Sequence, residues 1–273
     1  MRRLAERRPL TAFLIVTALL SWWPWPLYLR GALPDPNAGF GPFLAAVVVL
    51  WLRDGRPGVV SLLRSMVHWR VPVRAYLLAL GLPALISGSA VAANLALGAE
   101  LTATLGLATS IPVTLLVVLL VPVLGGAWEE PGFRGFALCR LEARFGQMIA
   151  PLILGAIWVA WHLPLFHTRQ ILLTDVLVIV AASVVFAAVF HLGRESVLIA
   201  MLMHAMNNAV GGHFASELFD GSDLARLGWL TAAGWWIAAG AVLTVQAQRH
   251  RAREDGSRAR DHAKVSHGVG QQA

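Results

Sequence analysis

The sequence predicts an all-α protein, a polytopic transmembrane helical bundle of about eight spans with both termini in the cytoplasm. Of the 273 residues, 57% are hydrophobic and only 14% are charged, whereas soluble domains carry about 25% charged residues. The apolar residues form long runs, and basic residues cluster at the ends of these runs. A chain this apolar, with a single cysteine, also excludes intrinsic disorder and a disulfide-stabilised secreted fold.

The apolar runs are candidate spans because a helix needs about 20 mostly apolar residues to cross a bilayer. Eight runs approach that length; the second is short, so seven spans is the alternative. They are Thr11–Tyr28, Gly39–Leu52, Ala75–Leu97, Ser110–Gly126, Met148–Phe166, Ile171–Phe190, Ser196–Gly212 and Leu227–Gln246.

The positions of the arginines predict the orientation, because the cytoplasmic loops of membrane proteins carry an excess of Arg and Lys. With a cytoplasmic N-terminus, 19 of the 22 basic residues fall inside, and only Arg30, Arg169 and Arg226 fall outside. The net charge of +7 is then explained by basic residues that orient the protein in the membrane. We therefore expect a multi-pass protein of the cell (plasma) membrane that contacts the lipid bilayer and no nucleic acid. The excess of arginine over lysine also indicates a bacterial genome.

The chain divides into one membrane domain and a tail. Residues 1–250 are predicted to form a single transmembrane domain, with a motif core at 110–212. Residues 251–273 are polar and Arg-rich, and this composition predicts a disordered cytoplasmic tail. Within the domain, Gly58–Arg74 alternates apolar and basic residues at helical spacing, which predicts a short helix on the inner membrane surface.

Three polar clusters lie in or beside predicted spans, where a charged residue costs roughly 2.5–3.5 kcal/mol. Residues in such positions are functional candidates because a membrane protein otherwise avoids them. The clusters are Glu129-Glu130-Pro131-Gly132-Phe133-Arg134, Trp158-Val159-Ala160-Trp161-His162 and His204-Ala205-Met206-Asn207-Asn208.

The spacing within the clusters predicts which side chains share a face. Glu130 and Arg134 are four residues apart, so on a helix they form an ion pair and play a supporting role. Glu129 points about 100° away from Glu130 and is the freer carboxylate. His204 and Asn208 are also four residues apart and project from one helix face.

A turn at Phe145-Gly146 is predicted to fold the first two clusters together as an antiparallel hairpin. Glu129 and His162 are equally distant from this turn along the chain, and both lie roughly 25 Å from it at about 1.5 Å per residue. They are therefore expected at a similar depth. Gly125 and Gly126, just before the first cluster, predict a break in the helix that frees backbone groups to contact a substrate.

The clusters also have a structural interpretation, since histidine and asparagine in membrane helices often link neighbouring helices by hydrogen bonds. The combination of carboxylates, two histidines and an amide on three separate helices favours a functional site instead. A transporter with Glu129, His162 and His204 as a proton relay is an alternative. The sequence has no inverted repeat of the kind that many transporters contain.

Together the three clusters resemble the CAAX-protease and bacteriocin-processing (CPBP, or Abi) family of intramembrane proteases. That family has Glu-Glu-x-x-x-Arg, Phe-x-x-x-His and His-x-x-x-Asn motifs on separate helices, in this order. The matching residues here are Glu129-Glu130…Arg134, Trp158…His162 and His204…Asn208. The sequence departs from the family pattern at Trp158, where an aromatic side chain replaces the usual Phe and is expected to keep its packing role.

The resemblance implies an intramembrane endopeptidase, CAAX prenyl protease-like, that hydrolyses a peptide bond of a membrane-associated protein or peptide. Glu129 and His162 would activate the attacking water, and His204 and Asn208 would stabilise the oxyanion. Glu129, His162 and His204 would alternatively bind zinc with an open position for water. We favour metal-free chemistry, although the family is often labelled metalloprotease. The same resemblance has an alternative interpretation, a non-catalytic membrane protein that acts in bacteriocin self-immunity or as a scaffold.

Overall fold

Helices make up most of the described part of the protein. The computed structural model describes residues 1–33, 39–102, 110–122 and 126–269, with side chains for all of these except 110, 250 and 253–269, and this part of the chain contains no strand. The predicted all-α fold is therefore confirmed. In chain order the α-helices are α1 (Arg2–Arg7), α2 (Pro9–Trp22), α3 (Trp25–Tyr28), α4 (Gly41–Met66), α5 (Val73–Ala96), α6 (Ser110–Leu120), α7 (Glu130–Gly132), α8 (Cys139–Trp161), α9 (Leu163–His167), α10 (Leu173–Leu192), α11 (Val197–Asn207) and α12 (Gly221–Val269).

Five helical stretches of the described chain are long and apolar enough to cross a membrane, which confirms a multi-pass membrane protein. Each of them overlaps a predicted span. They are Pro9–Tyr28, Val73–Ala96, Gly126–Trp161, Leu173–Leu192 and Gly221–Arg249.

The other three predicted spans correspond to shorter or interrupted helices. The run Gly39–Leu52 lies largely in the first part of α4, which kinks at Gly55. The run Ser110–Gly126 contains α6, which ends at Leu120. The run Ser196–Gly212 is divided between α11 and a π-helical turn, Asn208–Ala215. The total of eight spans and the cytoplasmic location of both termini stay predictions.

Two glycines with positive φ bend helices that would otherwise be continuous. Gly55 (φ 66°) divides α4 and Gly146 (φ 75°) divides α8, and glycine adopts this left-handed region without the steric cost of a Cβ. The bend in α8 falls where the turn at Phe145-Gly146 is predicted. The ring of Phe133, before the bend, lies 6.0 Å from that of Trp158 and 5.9 Å from that of Trp161. The two arms of the predicted hairpin therefore pack together.

The bend at Gly55 begins the segment predicted to lie on the membrane surface. This second part of α4 ends at Met66, eight residues before the predicted end at Arg74. Pro72 occupies the N-cap position of α5, and a proline disfavours helical backbone in the residue before it. The helix predicted over Gly58–Arg74 is thus confirmed as far as Met66 and wrong from there to Pro72, and its location on the membrane surface stays a prediction.

Helix α10 lies at the centre of the bundle, where it packs against α5, α8, α11 and α12. Every residue from Ala181 to Ala187 is buried, as expected for a helix that is apolar on all faces. The peripheral helices instead expose large apolar side chains, which is typical of a surface that faces lipid. Among them are Leu19, Leu77, Leu85, Leu120 and Ile237.

The last helix, α12, is described as far as Val269. Most side chains of the predicted tail, 251–273, and all of 270–273 lie outside the described residues. The predicted disorder of this tail, and the division at residue 250, therefore stay predictions.

Candidate active site

The first motif lies in a stretch where the helix type changes twice within a few residues. A 3₁₀ turn, Gly126–Glu129, leads into α7, and a π-helical turn, Phe133–Leu138, follows. Pro131 stands near the start of α7, where its missing N–H costs no intrahelical hydrogen bond. Short π segments inside α-helices are frequent at functional sites. This irregular backbone sets the direction in which Glu129 and Glu130 project.

Close packing against α4 fixes the position of α7. A Cβ on Gly132 would overlap the carbonyl oxygen of Pro42. No side chain fits there, so glycine is the residue that allows this contact between α4 and α7.

Glu130 joins the first motif to the third. Its Oε1 accepts a hydrogen bond from Nη1 of Arg134 at 3.1 Å, the pair that the spacing predicts, and a second bond from Nδ1 of His204 at 2.7 Å. Glu130 and Arg134 are fully buried, and His204 is 5% exposed. Because a carboxylate accepts, Nδ1 of His204 carries a proton and Nε2 is left for other partners.

The guanidinium of Arg134 is enclosed by aromatic rings. Its Cζ lies 4.3 Å from the ring centroid of Trp158 and 4.9 Å from that of Phe186. Nε and Nη2 find no hydrogen-bond acceptor among the described residues. The ring faces therefore supply the attraction that acceptors do not supply at these two nitrogens.

Trp158 links the second motif to the first. Its Nε1 donates a hydrogen bond of 2.6 Å to Oε2 of Glu129, and both side chains are buried. The indole also lies 5.5 Å from the ring of His204 and 5.9 Å from that of Phe186, measured between centroids. The side chain that Glu129 contacts on the opposite arm of the hairpin is thus Trp158, one turn before the predicted His162.

His162 stands at the end of α8 and is held by its own helix. Its Nδ1 lies 2.9 Å from the carbonyl oxygen of Trp158. A carbonyl oxygen only accepts, so Nδ1 carries the proton of the neutral ring and Nε2 presents a lone pair. The ring packs edge-on against Trp161, with 4.6 Å between centroids.

The third motif meets the first at Gly126. A Cβ on Gly126 would lie 2.5 Å from Nε2 of His204 and 2.9 Å from Nδ2 of Asn208. The two nitrogens therefore converge beside the Gly126 backbone, three residues before Glu129. Asn208 stands where α11 gives way to the π-helical turn.

The structure brings four of the six predicted site residues together, whereas His162 contacts the Trp158 carbonyl and Asn208 lies beside Gly126. Two further features of the site were not assigned from the sequence. Glu129, Glu130, Arg134 and His204 meet around Trp158 and Phe186. The first addition is Gly126, which the sequence marked only as a helix break. The second is the hydrogen bond that Trp158 donates to Glu129. Trp158 was predicted only to pack, although its indole N–H indicates a possible donor in the sequence.

A zinc site needs at least three protein ligands that converge on one point. Within the described part of the chain, no group of three or more His, Cys, Asp and Glu side chains is arranged so that it could hold a metal ion. The zinc alternative, with Glu129, His162 and His204 as ligands, therefore stays a prediction, and no step of the chemistry below passes through a metal.

Two comparisons with known proteins concern the segment that contains the three motifs. Residues 108–210 match the family model described as type II CAAX prenyl endopeptidase Rce1-like. A protein of Methanococcus maripaludis named CAAX prenyl protease 2 is 24% identical over 103 residues, which is 33% of this chain and 38% of that protein. The alignment thus spans about two fifths of the relative's length. The resemblance to the CAAX-protease family that the three motifs predict is thereby confirmed, over the segment that contains all of them.

Proposed function

We propose that the protein is an intramembrane endopeptidase, CAAX prenyl protease-like, that hydrolyses a peptide bond of a membrane-associated protein or peptide. The observation that carries the proposal is the different environment of two adjacent buried carboxylates. Glu130 is bonded to both Arg134 and His204. Glu129 is held by the neutral indole of Trp158, and no cation of the described chain lies within ion-pair distance of it. Glu129 is the carboxylate left available for proton transfer.

In the proposed mechanism, Glu129 and His162 activate the attacking water. Nε2 of His162 presents a lone pair because Nδ1 faces the Trp158 carbonyl, so the ring accepts a hydrogen bond from the water that it orients. Glu129 takes the proton as the water attacks the scissile carbonyl, and it later returns this proton to the leaving amine.

His204 and Asn208 are proposed to stabilise the oxyanion of the tetrahedral intermediate. With Nδ1 of His204 donating to Glu130, a donor at Nε2 requires the imidazolium form. The two carboxylates Glu129 and Glu130 together then balance the charges of His204 and Arg134. Nε2 of His204 and Nδ2 of Asn208 converge beside Gly126. Each such donor to an oxyanion typically raises the rate of the reaction by a factor of about 10²–10³.

The membrane setting completes the proposal. We infer the plasma membrane with both termini in the cytoplasm, since 19 of the 22 basic residues then lie on the cytoplasmic side. The substrate reaches the site from the bilayer, and the proposed chemistry uses no metal.

The test is cleavage of a fluorescence-quenched, farnesylated peptide that ends in a Cys-a-a-X sequence, with the purified protein in liposomes. We expect wild-type protein to cleave it. Glu129→Ala and His162→Ala should each lower kcat by about 10²–10⁴, the usual contribution of general acid–base catalysis. Glu142→Ala is the matched control, because Glu142 is a partly buried glutamate of α8 that bonds His191 outside the three motifs. Cleavage by both active-site variants at the wild-type rate would contradict the proposal.

A chelator in the same assay separates the two chemistries. Metal-free catalysis predicts that kcat is unchanged after incubation with 1,10-phenanthroline and dialysis. A loss of activity that added zinc restores would instead favour the zinc alternative.

Comparative membrane proteomics then identifies the substrate: a deletion strain and a Glu129→Ala strain should accumulate the same uncleaved protein.

A further inference from the structure

We propose that Trp158 is a positioning residue that fixes Glu129 and His162 relative to each other, an inference that rests on the function proposed above. One residue contacts both groups that activate water. Its indole Nε1 donates to Oε2 of Glu129 at 2.6 Å, and its backbone carbonyl faces Nδ1 of His162 at 2.9 Å. The side chain holds the base, and the main chain of the same residue holds the histidine.

The indole is itself held rigidly. It is 4% exposed, and its ring centroid lies 6.0 Å from that of Phe133, 5.9 Å from that of Phe186 and 5.5 Å from that of His204. The Arg134 guanidinium lies over the same ring at 4.3 Å. A ring packed on all these sides does not rotate freely, so its N–H is a fixed donor and the carboxylate that accepts from it has a fixed orientation.

Core packing alone does not account for a tryptophan at this position. A phenylalanine would provide aromatic packing without the N–H. The buried indoles of Trp161 and Trp235 show that this protein also uses tryptophan without a hydrogen bond, since neither Nε1 has an acceptor among the described residues. Trp158 differs from both because its N–H meets a buried carboxylate.

The experiment compares Trp158→Phe with Trp235→Phe in the liposome assay. Both substitutions remove a buried indole from the bundle. Trp235 is fully buried and packs on Phe186, and in the described chain no hydrogen bond joins it to the polar groups of the three motifs. We expect Trp158→Phe to lower kcat about 10- to 100-fold, as for the loss of a hydrogen bond to a charged group. KM should change less than twofold because the substrate-binding groups are retained. Trp235→Phe should leave both constants within twofold of wild type.

A second variant guards against a folding defect in Trp158→Phe. Replacement of Trp158 by 3-benzothienylalanine, through nonsense suppression, keeps the size of the ring and exchanges its N–H for sulfur. It should reproduce the loss in kcat with an unchanged unfolding temperature. The NMR spectrum should contain one indole N–H resonance for each of the eleven tryptophans. The resonance that disappears in Trp158→Phe belongs to Trp158, and it should shift in Glu129→Ala.

The outcomes separate this inference from the proposed function. If Glu129→Ala is inactive while the benzothienyl variant has wild-type kcat, the positioning role is wrong and the proteolytic function stands. If Glu129→Ala cleaves like wild type, the proposed function itself fails. An equal loss of kcat in Trp235→Phe and Trp158→Phe would show that packing, not the hydrogen bond, is responsible, and would overturn the inference.

Discussion

Two of the polar clusters that link helices in the described part of this bundle differ in how completely their atoms are paired. The α5–α12 cluster consists of Asn94, Asp223 and Arg226. Asn94 is fully buried, accepts from Nε of Arg226 at 2.7 Å and donates to the Asp223 carbonyl at 3.0 Å. The Asp223 carboxylate accepts from Arg226 at 2.8 Å and from the Glu100 backbone N–H at 3.1 Å.

The motif cluster, which consists of Glu129, Glu130, Arg134 and His204, leaves several atoms unpaired. Oε2 of Glu130 and two nitrogens of Arg134 are buried and have no hydrogen-bond partner among the described residues. Buried polar groups are normally satisfied, and those that are not call for an explanation. A saturated network serves stability, whereas unpaired atoms beside reactive groups are typical of a site that gives up stability for function.

The largest effect on stability is expected from Arg134→Met. Arg134 and Glu130 are both fully buried and lie 3.1 Å apart. Removal of the cation leaves the carboxylate buried with only His204 as its partner. Loss of one member of a buried ion pair costs about 3–5 kcal/mol, and we expect this decrease in the free energy of unfolding, measured by denaturant titration in detergent micelles.

Glu130→Gln in the Arg134→Met background provides the control for that interpretation. If an uncompensated charge causes the loss, the double variant should be more stable than Arg134→Met alone. Arg226→Met should cost less than Arg134→Met, because its side chain is 34% exposed and water replaces the lost contacts. An equal cost for Arg134→Met and Arg226→Met would remove the distinction between the two clusters.

The second effect concerns Gly126, where the motif cluster approaches the backbone. A Cβ at this position would lie 2.5 Å from Nε2 of His204 and 2.9 Å from Nδ2 of Asn208, closer than packed atoms tolerate. His204 is anchored to Glu130 at its other nitrogen, so Gly126→Ala must displace the proposed oxyanion donors. We expect kcat for the farnesylated peptide to fall about 10²-fold or more, as for removal of one such donor.

Gly212→Ala is the matched control for Gly126→Ala. Gly212 lies in the π-helical turn that Asn208 begins, and a Cβ there would meet no atom within 4 Å. It should retain wild-type kcat. If Gly126→Ala also retained it, the donors proposed at His204 and Asn208 would not act on the reacting carbonyl.

Short-range features of this site are readable from the sequence, and long-range ones are not. The Glu130–Arg134 pair follows from a spacing of four residues, and the bend at Gly146 follows from a glycine after a helical run. The bond from His204 to Glu130 joins residues 74 apart. It depends on how two helices are rotated about their axes, which no local pattern specifies.

The partner of Glu129 illustrates the same limit within one hairpin. Equal distances from the turn predict that Glu129 lies level with His162, but the side chain that it contacts is Trp158. The prediction assumed an α-helical 1.5 Å per residue on both arms, but the first arm contains a π-helical turn, Phe133–Leu138, between Glu129 and the bend at Gly146.

The smallest effect is expected at the α5–α12 cluster, where stability and activity should separate. Asn94→Ala removes the acceptor for Arg226 and the donor to the Asp223 carbonyl. Such a loss costs about 1–3 kcal/mol in the free energy of unfolding. Asn94→Asp keeps an acceptor for Arg226 but places a carboxylate oxygen against the Asp223 carbonyl, so it should also destabilise the protein. The folded fraction of both variants should cleave the peptide with wild-type kcat, because no hydrogen bond connects this cluster to the motif cluster in the described chain. A fall in kcat that exceeds the fall in folded protein would show that the α5–α12 cluster also shapes the active site, and the contrast between a structural and a catalytic network would then fail.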